Sequence, residues 1–207
     1  HRGWISVAHA EKRSALAVTL SSGLLPVFGK VLGRVRALFD LNCDPLEIFD
    51  TLQSMNTGPK YLFVPGTRLP GCFAPFEMCV RAVLGQQVTV KAARTLAARF
   101  AAAFGEDFPT PFAELTRVFP SAEAIASLPA PIEDQLGPLG ITGARARCLF
   151  ALASALAKGR LSLSSLADPE AEMQKLLALP GFGPWTVQYV AMRALGWPDA
   201  FPHTDYG

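Results

Sequence analysis

The chain is short of charge and of long apolar runs. Asp, Glu, Lys and Arg make up 17% of its 207 residues, and 19 cations against 17 acids leave a net charge of +2. That balance excludes a strongly basic, histone-like binder. It still allows a contact made by a few well-placed cations, because affinity for a polyanion depends on where they sit. No stretch approaches the roughly 18 consecutive apolar residues of a membrane-spanning helix, so none is expected. An initiator Met and a signal-peptide pattern are missing at His1, and the chain reads as a fragment of something longer. Cys43, Cys72, Cys79 and Cys148 form no C-x-x-C pair; reduced, mostly buried thiols in a cytosolic protein are expected. With only three His and no second ligand suitably spaced, His203 reads as a loop residue rather than a metal ligand or base. There is no internal repeat and no low-complexity tract.

Half of the residues are hydrophobic, enough for a proper core, and the length fits one or two domains. Residues 3–9 and 15–20 alternate or run apolar around a polar link, the pattern of a two-stranded hairpin. Two strands cannot stand alone, so pairing partners are expected upstream. Over 24–39 apolar residues recur at Phe28, Val31, Leu32, Val35, Leu38 and Phe39, the stripe of an amphipathic helix. Asp44-Pro45 caps and starts a short helix, and the Gly- and Pro-rich residues 56–75 read as a connecting loop.

Beyond that loop the chain turns almost wholly helical. One stripe runs through Phe76, Val80, Val83 and Leu84; Gly85 interrupts it; a second runs over 88–104 through Val90, Ala93, Ala97, Phe100 and Phe104. Prolines break 108–138, leaving room for a short helix near 121–128. A clear helix follows over 143–158, ended by Gly159, and Asp168-Pro169 opens another.

The strongest local signal lies in 177–205. Pro180-Gly181-Phe182-Gly183-Pro184 holds too many breakers for helix, yet periodic apolar runs flank it, the second extending from Trp185 to Trp197. The reading is helix, tight hairpin, helix. Gly181 and Gly183 can take backbone angles closed to other residues, and Pro184 suits a first helical position. Such a turn aims N–H groups outward where the helix dipole is positive, an anion site that a DNA phosphate would fit.

At these residues the chain resembles the helix-hairpin-helix DNA glycosylase superfamily: LPGFGPWT is followed by Asp205, twenty positions after Trp185. LFDLNCDP (38–45) and RLPGCFAPFEMCVRAVLGQQVTVKAA (68–93) are similar to the bacterial DNA-3-methyladenine glycosylase II family. The fold class expected is therefore α+β: part of a small N-terminal α+β domain with its linker over 1–67, then a mainly α-helical glycosylase domain over 68–207, with the hairpin at 177–186.

The resemblance implies a monofunctional DNA glycosylase that hydrolyses the N-glycosidic bond of alkylated, 3-methyladenine-type bases in base-excision repair. It also implies a monomer that acts on double-stranded DNA in a bacterial cytoplasm, associated with the nucleoid. Asp205 is the catalytic carboxylate that would stabilise positive charge on the sugar and orient water. Trp185 stands where strand-cutting relatives carry a Schiff-base lysine; Lys158 and Lys175 lie outside the hairpin. Trp185, Tyr189 and Tyr206 would line the pocket. The first two, one helical turn apart, have the spacing for two rings to hold one base, and a cationic purine gains about 1–2 kcal/mol there. Gln87 matches the wedge that fills the gap left by a flipped nucleotide, with Gln86 beside it. Backbone N–H groups at Gly181 and Gly183, with the Thr186 hydroxyl, are the expected phosphate contacts. Carbonyls of Leu177, Leu179 and Phe182 correspond to ligands of a structural Na+ or K+ ion.

No cofactor is expected in catalysis. Cys72 and Cys79 share the spacing of the first two cysteines of an iron–sulfur cluster in some relatives, but they precede Asp205 and lack two partners, so no cluster is expected. Because the chain stops two residues past Asp205, activity is expected of a longer parent rather than of this piece. Two alternatives stand beside the enzyme: a non-catalytic hairpin module that only grips DNA, and a PGFG turn in an unrelated helical protein.

Overall fold

Apolar alternation sets the start of the chain. β1 (Ile5–Ala10) and β2 (Ala15–Leu20) pair antiparallel in register from Ile5↔Leu20 to Ala10↔Ala15. Along β2, Leu16, Val18 and Leu20 are half-buried while Ala15, Ala17 and Thr19 are exposed, the period of two of a strand with one covered face. The computed structural model describes residues 1–58 and 62–203. It divides into two units, His1–Phe73 with Thr110–Leu115, and Ala74–Pro109 with Thr116–Gly207.

In the first unit the single helix expected over 24–39 is split. Ser22–Val27 forms a 3-10 turn, and α1 (Phe28–Leu38) begins only after it. Pro26 sits inside the turn, offers no N–H to an α-helical ladder and crowds the preceding carbonyl, so a regular helix starts past it. Val31 and Val35 are buried, but Phe28 and Phe39, at the two ends of the expected stripe, are exposed. α2 (Pro45–Leu52) opens as read: the Asp44 carboxylate accepts the Leu46 and Glu47 N–H groups at 2.9 and 3.4 Å.

The division at Phe73 lies six residues beyond the expected boundary at 67, and Asp40 explains why. Its carboxylate accepts the Leu69 N–H at 3.0 Å, its carbonyl accepts the Arg68 guanidinium, and the Gly71 N–H donates to Ala37 at 3.2 Å. Residues 68–71 are thus stitched to the end of α1. Thr110–Leu115 joins the same unit, with Phe112 meeting Trp4 edge-on at 5.5 Å.

The second unit holds α3 (Pro75–Gly85), α4 (Val90–Phe104), α5 (Ala122–Ala126), α6 (Ile132–Leu136), α7 (Gly143–Ala157), α8 (Pro169–Leu177) and α9 (Pro184–Val190). A two-residue pairing of β3 (Glu106–Asp107) with β4 (Arg117–Val118) interrupts them. Thr89 caps α4 by accepting the Ala92 N–H at 3.2 Å, and Asp168 caps α8 through Glu170 and Ala171 at 3.1 and 3.4 Å. The core draws on all seven of these helices: Val80, Val83 and Leu84 of α3, Phe100 of α4, Ile125 of α5, Leu136 of α6, Leu149 and Leu152 of α7, Leu176 of α8, Val187 and Val190 of α9. Among the described residues no single helix is long and apolar enough to cross a membrane.

Phe100 is fully buried, with the Phe104 and Phe119 rings at 5.3 and 5.6 Å, whereas Val90, expected in the same stripe, is 71% exposed. Val90 is the first residue of its helix, before α4 packs against its neighbours. Phe100→Ala should therefore cost about 3–5 kcal/mol, and Val90→Ala under about 0.5 kcal/mol. Urea denaturation of the two variants checks the contrast.

Candidate active site

The hairpin is built by two short backbone bonds and one steric constraint. After α8 ends, the Leu179 N–H donates to the Leu176 carbonyl at 3.0 Å, and the Phe182 N–H to the Leu179 carbonyl at 3.3 Å. Gly181 sits at φ +83, and a Cβ there would lie 3.1 Å from both Cβ and Sγ of Cys148 on α7. The turn needs glycine at this position for both reasons. Gly183 needs neither: its φ is −83, and no atom lies within 4 Å of a Cβ built on it. The expectation that both glycines take angles closed to other residues therefore holds only for Gly181. Phe182 plugs the turn into the core, and Pro184 starts α9. Burial pushes the Cys148 thiol up to about 11, so it stays protonated and serves as packing.

The bend between α3 and α4 is tied to this hairpin by Gln86. Its side-chain amide donates to the Gly181 carbonyl and to Thr186 Oγ1, both at 3.1 Å. Its own carbonyl accepts the Arg145 guanidinium from α7. Gln86 is therefore a bracket rather than part of a wedge. Thr186 is corrected too: it is 3% exposed and its hydroxyl is spent on Gln86, so it faces the interior instead of a phosphate. Gln87 is different. It is exposed and held at φ +53, a left-handed conformation uncommon outside glycine, which turns it away from both helices.

Trp185 and Tyr189 lie on one side of α9, as their spacing requires, but they stack on each other. Their ring centroids are 5.2 Å apart and their planes 8° from parallel. A base between two rings needs about 7 Å, two van der Waals contacts of about 3.5 Å. The sandwich expected from the sequence is thus replaced by one continuous π surface. One turn further on, the Arg193 guanidinium carbon lies 5.8 Å from the centre of the Tyr189 ring. Tyr189 is flanked by Trp185 and by Arg193, so Trp185 carries the face available to a ligand.

The helix expected to continue to Trp197 changes pitch after Val190. Ala191–Leu195 is a π-helical turn, closed by Gly196 at φ +68, and the Gly196 and Trp197 N–H groups both reach the Ala191 carbonyl. Past it, the Phe201 N–H donates to Gln188 Oε1 at 3.0 Å, which pins the returning chain to α9. His203 is an exposed loop residue. Asp205 and Tyr206 lie outside the described residues. No group of three His, Cys, Asp or Glu comes together to hold a metal ion among the described residues.

One residue that sequence reading passed over is Glu172. It is 6% exposed; Oε2 accepts the Ser162 N–H at 2.8 Å and Oε1 the Lys175 ammonium at 2.7 Å. The i, i+3 spacing of Glu172 and Lys175 was the available signal. Burial pushes the carboxyl up, but the Lys175 and Ser162 bonds outweigh it and hold it below the usual glutamate range.

Residues 80–207 match the HhH-GPD superfamily base excision DNA repair protein family, and residues 1–74 match the AlkA N-terminal domain. The chain belongs to the HhH-GPD superfamily. DNA-3-methyladenine glycosylase 2 of Escherichia coli (strain K12) is 36% identical over 209 residues, covering 100% of this chain and 70% of that protein. The probable bifunctional transcriptional activator/DNA repair enzyme AlkA of Mycobacterium tuberculosis is 41% identical over 178 residues. That match covers 84% of this chain but 34% of the relative, so the chain spans about a third of its length. The 3-methyladenine DNA-glycosylase from Archaeoglobus fulgidus has a TM-score of 0.70 at 22% identity, covering 98% of this chain and 67% of that one. This last likeness shows the fold.

In this HhH-GPD chain Glu172 anchors the segment that leads into α8 and the hairpin. Its folded pKa is lowered, so its stabilising effect is present above the ordinary value of about 4.5 and is lost as pH falls through the lower folded value. Glu172→Gln should cost about 1–2 kcal/mol at pH 7, and the difference from the parent should shrink below pH 4.5. Denaturant midpoints of both proteins across that range provide the measurement.

Proposed function

We propose that this chain is part of a monofunctional DNA glycosylase that removes alkylated bases of the 3-methyladenine type from duplex DNA. The observation that carries this reading is the Trp185–Tyr189 stack, which starts one residue into the helix that leaves the hairpin. An electron-rich ring at that place favours a base that carries positive charge over a neutral one. An aromatic there also supplies no amine. Of the two nearest lysines, Lys175 is engaged by Glu172, and Lys158 lies at the end of α7. A Schiff base with the sugar is therefore not available from the hairpin, and water is the nucleophile.

In the reaction the C1′–N bond breaks with both electrons going to the departing base, which leaves neutral because it entered as a cation. Water oxygen bonds to C1′ and its proton passes to Asp205, leaving an abasic site. Asp205 also opposes the positive charge that builds on the sugar before water arrives. Gln87, exposed beyond its bracketed neighbour, would enter the stack where the base was. The hairpin would hold the strand through its backbone, Gly181 and Gly183 both being exposed.

The fit of a monovalent cation to the Leu177, Leu179 and Phe182 carbonyls is compatible with the turn. The Leu179 oxygen accepts one bond, at 3.3 Å, and keeps a second lone pair. A bound Na+ or K+ would offset the dipoles of these carbonyls and brace the turn. The proposed setting is the bacterial cytoplasm, where the chromosome lies.

The complete parent protein, incubated with methylated duplex DNA, should produce alkali-labile sites while leaving strands uncut without alkali. Asp205→Asn should slow this by about 10²–10³-fold. Trp185→Ala should lower kcat/KM about tenfold, and Tyr189→Ala less, since Tyr189 only backs the stack. No sites from the unmutated parent would sink the enzyme; DNA affinity retained in that case favours a module that grips without cutting.

A further inference from the structure

We propose that a second seat for the DNA backbone runs along α4, in the groove it forms with residues 139–145. This rests on the reading of the chain as a DNA glycosylase and adds a contact surface to it. The groove has a volume of about 470 Å³ and is lined by Lys91, Thr95 and Arg99 from one side and by Gly140 and Arg145 from the other. Lys91, Thr95 and Arg99 follow at i, i+4 and i+8, one face of a helix over about 12 Å. A DNA strand presents one phosphate per about 3.4 Å of duplex axis, so that length serves about three of them.

The charge lining the groove is of one sign, and Glu133, which lies against Gly143, is paired with Arg147 at 2.6 Å. No Asp or Glu occurs anywhere in 78–105 or in 135–167, although the chain has 17 acids. Both walls come from those two segments, and the groove lining holds no carboxylate among the described residues. Two of its cations are pre-aimed. Arg99 donates one N–H to the Leu139 carbonyl at 3.2 Å, and Arg145 one to Gln86, which leaves other donors of each guanidinium for a ligand.

Among the described residues no aromatic ring lines the groove, so none of them would hold a base or a free nucleotide by stacking; the chemistry suits a sugar–phosphate backbone. Val88 and Thr89, which directly follow Gln87 in the chain, also line it. A strand displaced around Gln87 therefore has a cationic path to follow.

The test is the salt dependence of binding by the complete parent protein to a fluorescent undamaged duplex. The slope of log Kd against log[salt] should fall by about 0.9 in Lys91→Gln, and by about twice that in Lys91→Gln/Arg99→Gln. Arg160→Gln, an exposed cation away from the groove, should leave the slope unchanged. The circular-dichroism spectrum and thermal melting midpoint of Lys91→Gln should match those of the parent, which reports that this variant folds. An unchanged slope in Lys91→Gln, or an equal fall in Arg160→Gln, overturns the proposal. So does loss of inorganic pyrophosphate binding in Lys91→Gln with the DNA slope intact, which would mark a small-anion site. A parent that excises with an unaltered variant slope loses the groove alone. One that forms no alkali-labile sites but keeps a Lys91-dependent slope loses the enzyme and keeps the groove. A parent with no affinity for DNA loses both.

Discussion

The geometry of the candidate site depends on one side-chain amide. Gln86 joins the bend after α3 to the hairpin through two bonds at 3.1 Å, while Arg145 holds the Gln86 carbonyl from α7. A net contribution of about 0.5–1.5 kcal/mol per neutral bond, and more for the charged one, makes the set worth several single contacts. What it constrains matters more than its sum. With residue 86 turned inward and bonded, the next residue must leave the helix at a positive φ, and Gln87 is thereby presented to solvent. With the Gly181 carbonyl held by Gln86 and Cys148 crowding the space a side chain at 181 would need, the turn has little freedom, and α9 starts from a fixed point.

From that point the direction of the rings follows. Trp185, Tyr189 and Arg193 succeed one another at i, i+4 and i+8, so each stacks on the next, and the ladder leaves Trp185 as its outer end. The stack sets its own limit on recognition. Two mutually packed rings give a rigid surface, but only one face of it can meet a base, so selectivity rests on charge more than on enclosure. The π-helical turn that follows shifts the phase of every later residue. Trp197, which on an unbroken helix would fall elsewhere, packs against Ala191, Leu195 and Ala200 together with Met173 and Met192. The wide turn thus gives Trp197 a packing site of its own, apart from the Trp185–Tyr189 stack, with both tryptophans half-buried.

Much of this was legible from residues whose signals are local. Asp44 and Asp168 cap helices that begin at the following proline, and Gly181 takes the left-handed angle that a breaker cluster suggested. The HhH-GPD membership rested on motifs that survive as sequence. What escaped depends on contacts across the fold. Gln86 and Gln87 are identical neighbours, and only the backbone angle at residue 87 decides which faces inward. Thr186 looks like a helix-start hydroxyl until a glutamine a hundred residues away claims it. The helical spacing of Trp185 and Tyr189 fits rings that share a ligand as well as rings that share each other. Pro26 was visible, yet its effect was missed because the surrounding apolar stripe outweighed a single breaker. Asp205 and Tyr206, the residues nearest the proposed chemistry, lie outside the described residues.

The cations were the least legible element, because in sequence they look scattered. Lys91 and Arg99 are eight residues apart and Arg145 is some fifty further on, so composition reports a net charge of only +2. The informative quantity is where the acids are missing. Two long acid-free segments fold against each other, and although Arg81 and Arg147 pair with Glu77 and Glu133 just outside them, no ion pair engages Lys91, Arg99 or Arg145 among the described residues. A polyanion then senses a local field much larger than the net charge implies, while the rest of the surface, where acids and bases mix, does not hold it. For an enzyme that must leave undamaged DNA after each inspection, this arrangement has a physical advantage. A few cations in one groove give a contact that salt can loosen, and the neutral aromatic face adds more affinity when the base beneath it carries positive charge.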